Sequence, residues 1–356
     1  MNKTQVALLA LFTLFSSTVS ASETDSIKYG RDITDYVSKP RIGGLVVGKY
    51  EYSDKEGSNT GDGFHPRYVR LSVEGTILRD FKYRVQAEFK NSPYLTDYYL
   101  EWNRYKVASL RFGQYKRPFS IDCNLHPCDV GFADYSQLST KLAGLTDYIG
   151  DGSMGARDQG LMASGEFAKV GEDHHNLIKY QVGVFSGQGI NHKDANSQKD
   201  LIGCLKFIPV KGLTIAAYGW TGNYTSGSIT VKRDRWGLGA AYTDKRFTTR
   251  AEYAHSTGHK LSDFDAAGNC VSGRGKADAW YAMAGYNINR LFSVAGRYDV
   301  FRDQATWDSM KSVYSICAGV QPHRCLLFQV QYNYNNDKLS ADHHYNSVVL
   351  EAYVRF

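Results

Sequence analysis

The sequence predicts an all-β fold: a transmembrane antiparallel up-and-down β-barrel of about sixteen strands. Three observations predict it. The last twelve residues, Tyr345 to Phe356, read YNSVVLEAYVRF. Val348, Leu350, Ala352, Val354 and Phe356 share one strand face, and Ser347, Glu351, Tyr353 and Arg355 share the other, with Val349 breaking the polar pattern. Phe81 to Lys90 alternates more strictly, with Phe81, Tyr83, Val85, Ala87 and Phe89 opposite Lys82, Arg84, Gln86, Glu88 and Lys90. A tilted strand of that length crosses a bilayer, apolar side to lipid and charged side to water. Finally, long polar connections alternate with tight ones, for which a soluble β-sandwich gives no reason.

Residues 1–21 have the form of a secretory signal peptide: Lys3, an apolar core from Val6 to Phe15, and a small-residue cleavage site at Val19-Ser20-Ala21. The core is shorter than the roughly 20 residues of a spanning helix. A mature chain is expected from near Ser22, with 22–40 as a short periplasmic segment and 41–356 as the barrel. Residues 22–40 are too few for the plug of an energised transporter. Loss of Lys3 takes the formal charge from +6 to +5. That charge is too diffuse to point to nucleic acid. A mean hydropathy of -0.41 is too polar for a helical membrane protein, whereas a barrel turns only alternate residues to lipid.

In chain order, a first strand is expected over about 41–52, then a long loop at 53–65. Val69, Leu71, Val73 and Ile77 alternate with Arg70, Ser72, Glu74 and Thr76, and a tight turn follows near Arg79-Asp80. Further tight turns are expected near 104–107, 209–212, 244–245, 288–290 and 321–324. Longer loops are expected at 119–157, 188–199, 223–232, 256–276, 302–311 and 335–344, with intermediate connections at 91–96 and 171–176. Trp236, Leu238, Ala240 and Tyr242 mark one later strand; Phe328, Val330, Tyr332 and Tyr334 mark another. Tyr50, Tyr52, Trp102, Trp220, Tyr224, Trp236, Trp280 and Tyr334 are candidates for interfacial girdles.

LRDFKYRVQAEF (78–89), the Asp97–Trp102 strand and LRFGQYKRPF (110–119) resemble the phosphate-selective porin O and P family, a likeness that continues through 157–167, 180–191 and 206–213. The terminal strand likewise resembles the closing strand of Gram-negative outer-membrane barrels, whose final Phe is read by the assembly machinery; here that residue is Phe356. The resemblance implies an outer-membrane, usually trimeric, water-filled channel for small ions or solutes. It also implies a long third loop folded into the lumen, which would be 119–157. Phosphate-selective members carry an arginine ladder, and no ladder aligns residue by residue here.

Pore chemistry is expected from inward-facing cations: Arg70, Lys82, Arg84, Lys90, Arg111 and Arg117. Crowded guanidiniums would concentrate anions such as phosphate. Glu74, Glu88, Asp97 and Glu101 share those faces, so neutralising cross-strand pairs are the competing reading. In the constriction loop, Asp122, Asp129, Asp134 and Lys141 are expected to oppose the wall. Cys123 and Cys128 are disulfide candidates in an exported chain, with free thiols or half a metal site around His126 as alternatives. Cys204 and Cys317 read as packing residues, and no metal or other cofactor is expected. His174-His175 and His343-His344 read as solvated pairs, and 150–160 lacks the strand–loop–helix context of a phosphate loop. Two other functions are weighed against a channel. One is an adhesin or receptor barrel acting through its loops; the other is a barrel enzyme using His255 and Ser256.

Overall fold

A computed structural model describes residues 36–55, 62–150 and 155–356. The expected signal peptide and most of the segment 22–40 lie outside the described residues. The described residues form one closed sheet of sixteen strands, each antiparallel to its neighbours in sequence order. The strands of the first half are β1 (Arg41–Ser53), β2 (Gly63–Ile77), β3 (Phe81–Glu88), β4 (Tyr94–Tyr105), β5 (Ala108–Lys116), β6 (Arg157–Val170), β7 (His175–Phe185) and β8 (Asp200–Phe207). Those of the second are β9 (Leu213–Ser226), β10 (Ile229–Thr243), β11 (Phe247–Thr257), β12 (Lys276–Asn287), β13 (Phe292–Asp303), β14 (Met310–His323), β15 (Leu326–Asp337) and β16 (His344–Arg355). β16 closes on β1 in a continuous register from Leu45↔Arg355 to Ser53↔Ser347.

The alternation read from the sequence sorts side chains between lipid and lumen. Phe112, Leu238, Leu205 and Ile316 stand exposed on the outside. Arg235, Glu252, Asp299 and Gln331 are buried on the inside. Val349, the exception in the last strand, is buried on the inner side. Phe356 lies over the backbone of Gly44, where a Cβ would collide with its ring. The outer groups make an apolar belt, and no described helix is long and apolar enough to cross a membrane.

Two expectations are corrected. The loop expected at 223–232 is a two-residue hairpin turn: β9 and β10 stay paired up to Ser226↔Ile229. Gly227 takes φ +58° at its first central position, where glycine carries no Cβ penalty. The Thr225 and Thr230 hydroxyls bond across the pair at 2.9 Å, so polar composition here marks strands that extend past the membrane. Lys90 lies beyond the end of β3, exposed, and its backbone N–H donates to Glu88 (3.3 Å). It is a rim residue and not part of the pore wall.

Candidate functional site: a loop-narrowed lumen

The third loop follows β5 and lies against the inner wall. Its apolar steps Phe119, Val130, Phe132, Leu138, Leu142 and Ile149 are buried in one cluster with wall residues of the later strands. Polar anchors fix it at two ends. At the near end, Ser120 caps a single helical turn, Ile121–Asn124, with its Oγ accepting from the Cys123 N–H at 3.1 Å. Glu252 on β11 accepts from the N–H groups of Ile121 (2.8 Å) and Asp122 (2.9 Å) and from the Tyr281 hydroxyl (2.7 Å). A carboxylate receiving that many donors replaces the water it lost. Asp122 folds the loop back on itself by accepting from Ser136 Oγ (2.9 Å) and Ser139 Oγ (2.8 Å).

At the far end, Asp147 accepts from Arg233 (3.0 Å) and Arg235 (2.7 Å), all three side chains being fully buried. Burial alone would raise the Asp147 carboxyl; the two guanidiniums prevail and hold it well below the usual carboxylate range. Trp220 supplies the platform, with Arg117, Arg233 and Arg235 lying 4.4, 4.6 and 4.7 Å from its ring. Arginine, planar and weakly hydrated, suits such stacking. Gly144, at φ +88°, gives the Arg117 guanidinium room where a Cβ would collide.

The cations expected to line the pore fall into three groups. Arg70, Arg84 and Arg111 point inward on β2, β3 and β5, each against a carboxylate: Glu88 (2.8 Å), Glu74 (3.1 Å) and Glu101 (2.6 Å). Lys82 lines a cavity at the short-turn mouth. Arg117 belongs to the loop anchor and is buried away from the lumen. Among the loop residues, Asp134 faces Lys49 (3.2 Å), Lys141 is exposed in the long-loop vestibule, and Asp129 is exposed. Asp122 is consumed by loop folding. Cys123 and Cys128 are both free. Cys123 is buried in the loop cluster, whereas Cys128 packs beside Leu45, Val47 and Tyr353 on β1 and β16, so the thiols are committed to different surroundings. Cys204 and Cys317 are buried within strands, and no described group of His, Cys, Asp and Glu could hold a metal ion. His255 and Ser256, adjacent on β11, face opposite ways: Ser256 accepts from buried Arg235 (3.2 Å), while His255 packs by outward-facing Trp236.

Two vestibules flank the loop. The long-loop vestibule, about 630 Å³, carries Lys141, Lys260, Arg297 and Lys311 against Asp134, Asp147, Asp299, Asp303 and Asp337. The short-turn vestibule, about 610 Å³, carries Arg70, Arg84, Arg111, Lys116 and Arg157, with Arg41 and Arg355 at its mouth, against Glu74 and Asp97. His126 looks into it from the loop. Burial, then the field of Arg355, Lys116, Arg70 and Arg84, pushes that imidazole down to about 4.

Several of these groups were missed from sequence. Arg67 is the extra residue of a β-bulge in β2, where Val47 pairs with Tyr68 and Gly48 with Pro66. The bulge turns Arg67 inward to Glu351 (2.6 Å), against the parity of its strand. Arg157 pairs with Asp97 (2.7 Å) at the start of β6, where no alternation precedes it. The inward parity of Arg233 and Arg235 was readable; their burial under the loop was not.

Residues 45–212 match the family model of phosphate-selective porin O and P. No curated protein sequence matches the chain. Among solved structures, the anion-selective porin of Comamonas acidovorans is similar at TM-score 0.68 and 14% identity, over 89% of this chain and 99% of that one. The outer-membrane channel DcaP of Acinetobacter baumannii matches at TM-score 0.61 and 15% identity, over 92% and 99%. OmpT of Vibrio cholerae in its trimer form matches at TM-score 0.62 and 13% identity, over 90% and 100%. The fold is that of an outer-membrane porin.

Proposed function

We propose that this barrel works in the Gram-negative outer membrane as a passive, water-filled channel for small hydrophilic solutes, with a preference for anions, phosphate among them. The observation that carries the preference is the short-turn vestibule, where seven Lys and Arg side chains face two carboxylates. Glu88 and Glu101, paired with Arg70 and Arg111 just behind the surface, reduce that excess without cancelling it. A cationic lining within low-dielectric walls raises the local anion concentration. Movement is diffusion down a gradient, with no covalent step and no cofactor. The working unit is a homotrimer, a reading supported by the trimeric form of the Vibrio cholerae neighbour.

The test is the reversal potential of purified protein in a planar bilayer under a KCl gradient, followed by addition of phosphate. A chloride-side potential, with conductance reduced by phosphate, is the expected result. A potassium-side potential would overturn the anion preference, and the absence of channels would overturn the porin reading and move a loop-based receptor to first place.

A further inference from the structure

The charges of the lumen are sorted along its axis. Three cavities line the short-turn end. The first is the vestibule with seven cations already described. The second is lined by Lys82, Arg104, Lys106, Lys179 and Lys206. The third, at the β10–β11 and β12–β13 turns, holds Lys245, Arg246 and Arg290 with no carboxylate lining it. Against these fifteen cations stand Glu74, Asp97, Glu101 and Glu166 in the linings, with Asp80 beside Arg104 and Asp244 beside Arg246 at the turns. Counting Glu88 behind Arg70 leaves the excess large. The long-loop vestibule, by contrast, sets Lys141, Lys260, Arg297 and Lys311 against Asp134, Asp299, Asp303 and Asp337, its further carboxylate Asp147 being neutralised by the buried Arg233 and Arg235. The docked loop separates the two ends, with its own acids Asp122 and Asp147 turned toward wall arginines.

We infer that the pore is an ionic rectifier: its conductance depends on the direction in which anions are driven. This inference rests on the channel reading above. Chloride driven in through the short-turn mouth is concentrated by the cations, while potassium arriving from the long-loop side is held back at them, so salt accumulates in the narrow middle and current is high. With the opposite polarity chloride leaves freely through the cationic mouth, potassium cannot replace the loss, and the middle is depleted. The asymmetry follows from fixed charge placed at one end of a narrow lumen and needs no moving part.

The experiment is the current–voltage curve of single channels in symmetric KCl. At about 0.1 M, where a charge is felt over about 10 Å, the current at one polarity exceeds the other about twofold; at about 1 M, where screening cuts the range to about 3 Å, the ratio approaches one. Orientation is read in a Cys325→Ser background, where a bulky maleimide added to one chamber lowers conductance by reacting with exposed Cys270 of the β11–β12 loop. The larger current must drive chloride in from the opposite, short-turn side. Lys245→Gln, Arg246→Gln and Arg290→Gln together, all on or beside turns, bring the ratio down with channels still open. Lys82→Gln with Lys206→Gln does the same from the other side of the mouth. A straight curve at low salt, the opposite sign, or a ratio unchanged at high salt would overturn the inference while leaving the channel reading standing. Absence of channels sinks both.

Discussion

Asp147 and Arg235 form an ion pair at 2.7 Å between the third loop and β10, with neither side chain exposed to solvent. Arg233 shares the same carboxylate at 3.0 Å. Removing one member of such a buried set leaves charge without a partner, at a cost of about 3–5 kcal/mol. Asp147→Asn is therefore expected to release the far end of the loop while the strand ladders hold. Open-channel noise should rise and proteases should cut within 119–157 without loss of the barrel. A quiet, protease-resistant variant would show that apolar packing alone docks the loop.

Gly144 allows a sharper comparison. It sits at φ +88° against the Arg117 guanidinium, whereas Gly268 sits at φ +83° with open space around its Cβ position. Left-handed backbone costs alanine about 1–2 kcal/mol at either place. Gly144→Ala adds the collision, so the loop should loosen far more than the 258–275 loop does in Gly268→Ala. Hydrogen exchange of the two loops measures the difference, and equal effects would mean that Arg117 simply moves aside.

Arg70→Gln removes one cation and strips Glu88 of its partner at 2.8 Å. The vestibule becomes less positive, and the uncovered carboxylate attracts potassium. The reversal potential should move toward the potassium side, by more than for Arg104→Gln at the mouth. An unchanged potential would place the selective step elsewhere.

The His126 imidazole is held at about 4 by burial and by the field of Arg355, Lys116, Arg70 and Arg84. Since an unfolded histidine titrates near 6.5, the unfolded loop binds the proton more readily. The stabilisation is complete above about 6.5 and is lost as pH falls from there toward 4. Loop-closure stability, read from channel noise between pH 7 and pH 4, should drop across that window in the wild type. His126→Gln should flatten this part of the profile; an identical profile would assign the titration to loop acids.

Thiol reactivity tests the cysteine assignments. Cys270 and Cys325 are exposed, and Cys123, Cys204 and Cys317 are buried. A membrane-impermeant maleimide should label the first two in folded protein and the other three only after denaturation. Recovery of a Cys123–Cys128 crosslink by mass spectrometry would restore the disulfide.

The strand order and most strand limits were legible because alternation with period two is imposed by the lipid on one side and water on the other. The inward arginines Arg70, Arg84 and Arg111 followed from the same parity. Parity fails where the backbone departs from the regular pleat, as at the bulge that turns Arg67 inward. It also says nothing about which inward residues another segment will cover. Arg233 and Arg235 look like pore cations in sequence and are buried in the structure because a loop nearly a hundred residues earlier lands on them. The pair Cys123 and Cys128 failed for a related reason: spacing is local, and each thiol packs against a different distant surface.

The loop and its anchors are far apart in time as well as in sequence. Its residues, 117–150, are made before the groups that hold them: Arg233, Arg235, Glu252, Asp299 and Gln331 all come later in the chain. Among the described residues only a few early groups touch the loop, such as Lys49 at Asp134 and Lys116 at the Cys123 and Leu125 carbonyls. The passage is therefore narrow only when the second half of the barrel is in register with the first. A shift in β10 to β15 would loosen a filter whose own residues are unchanged.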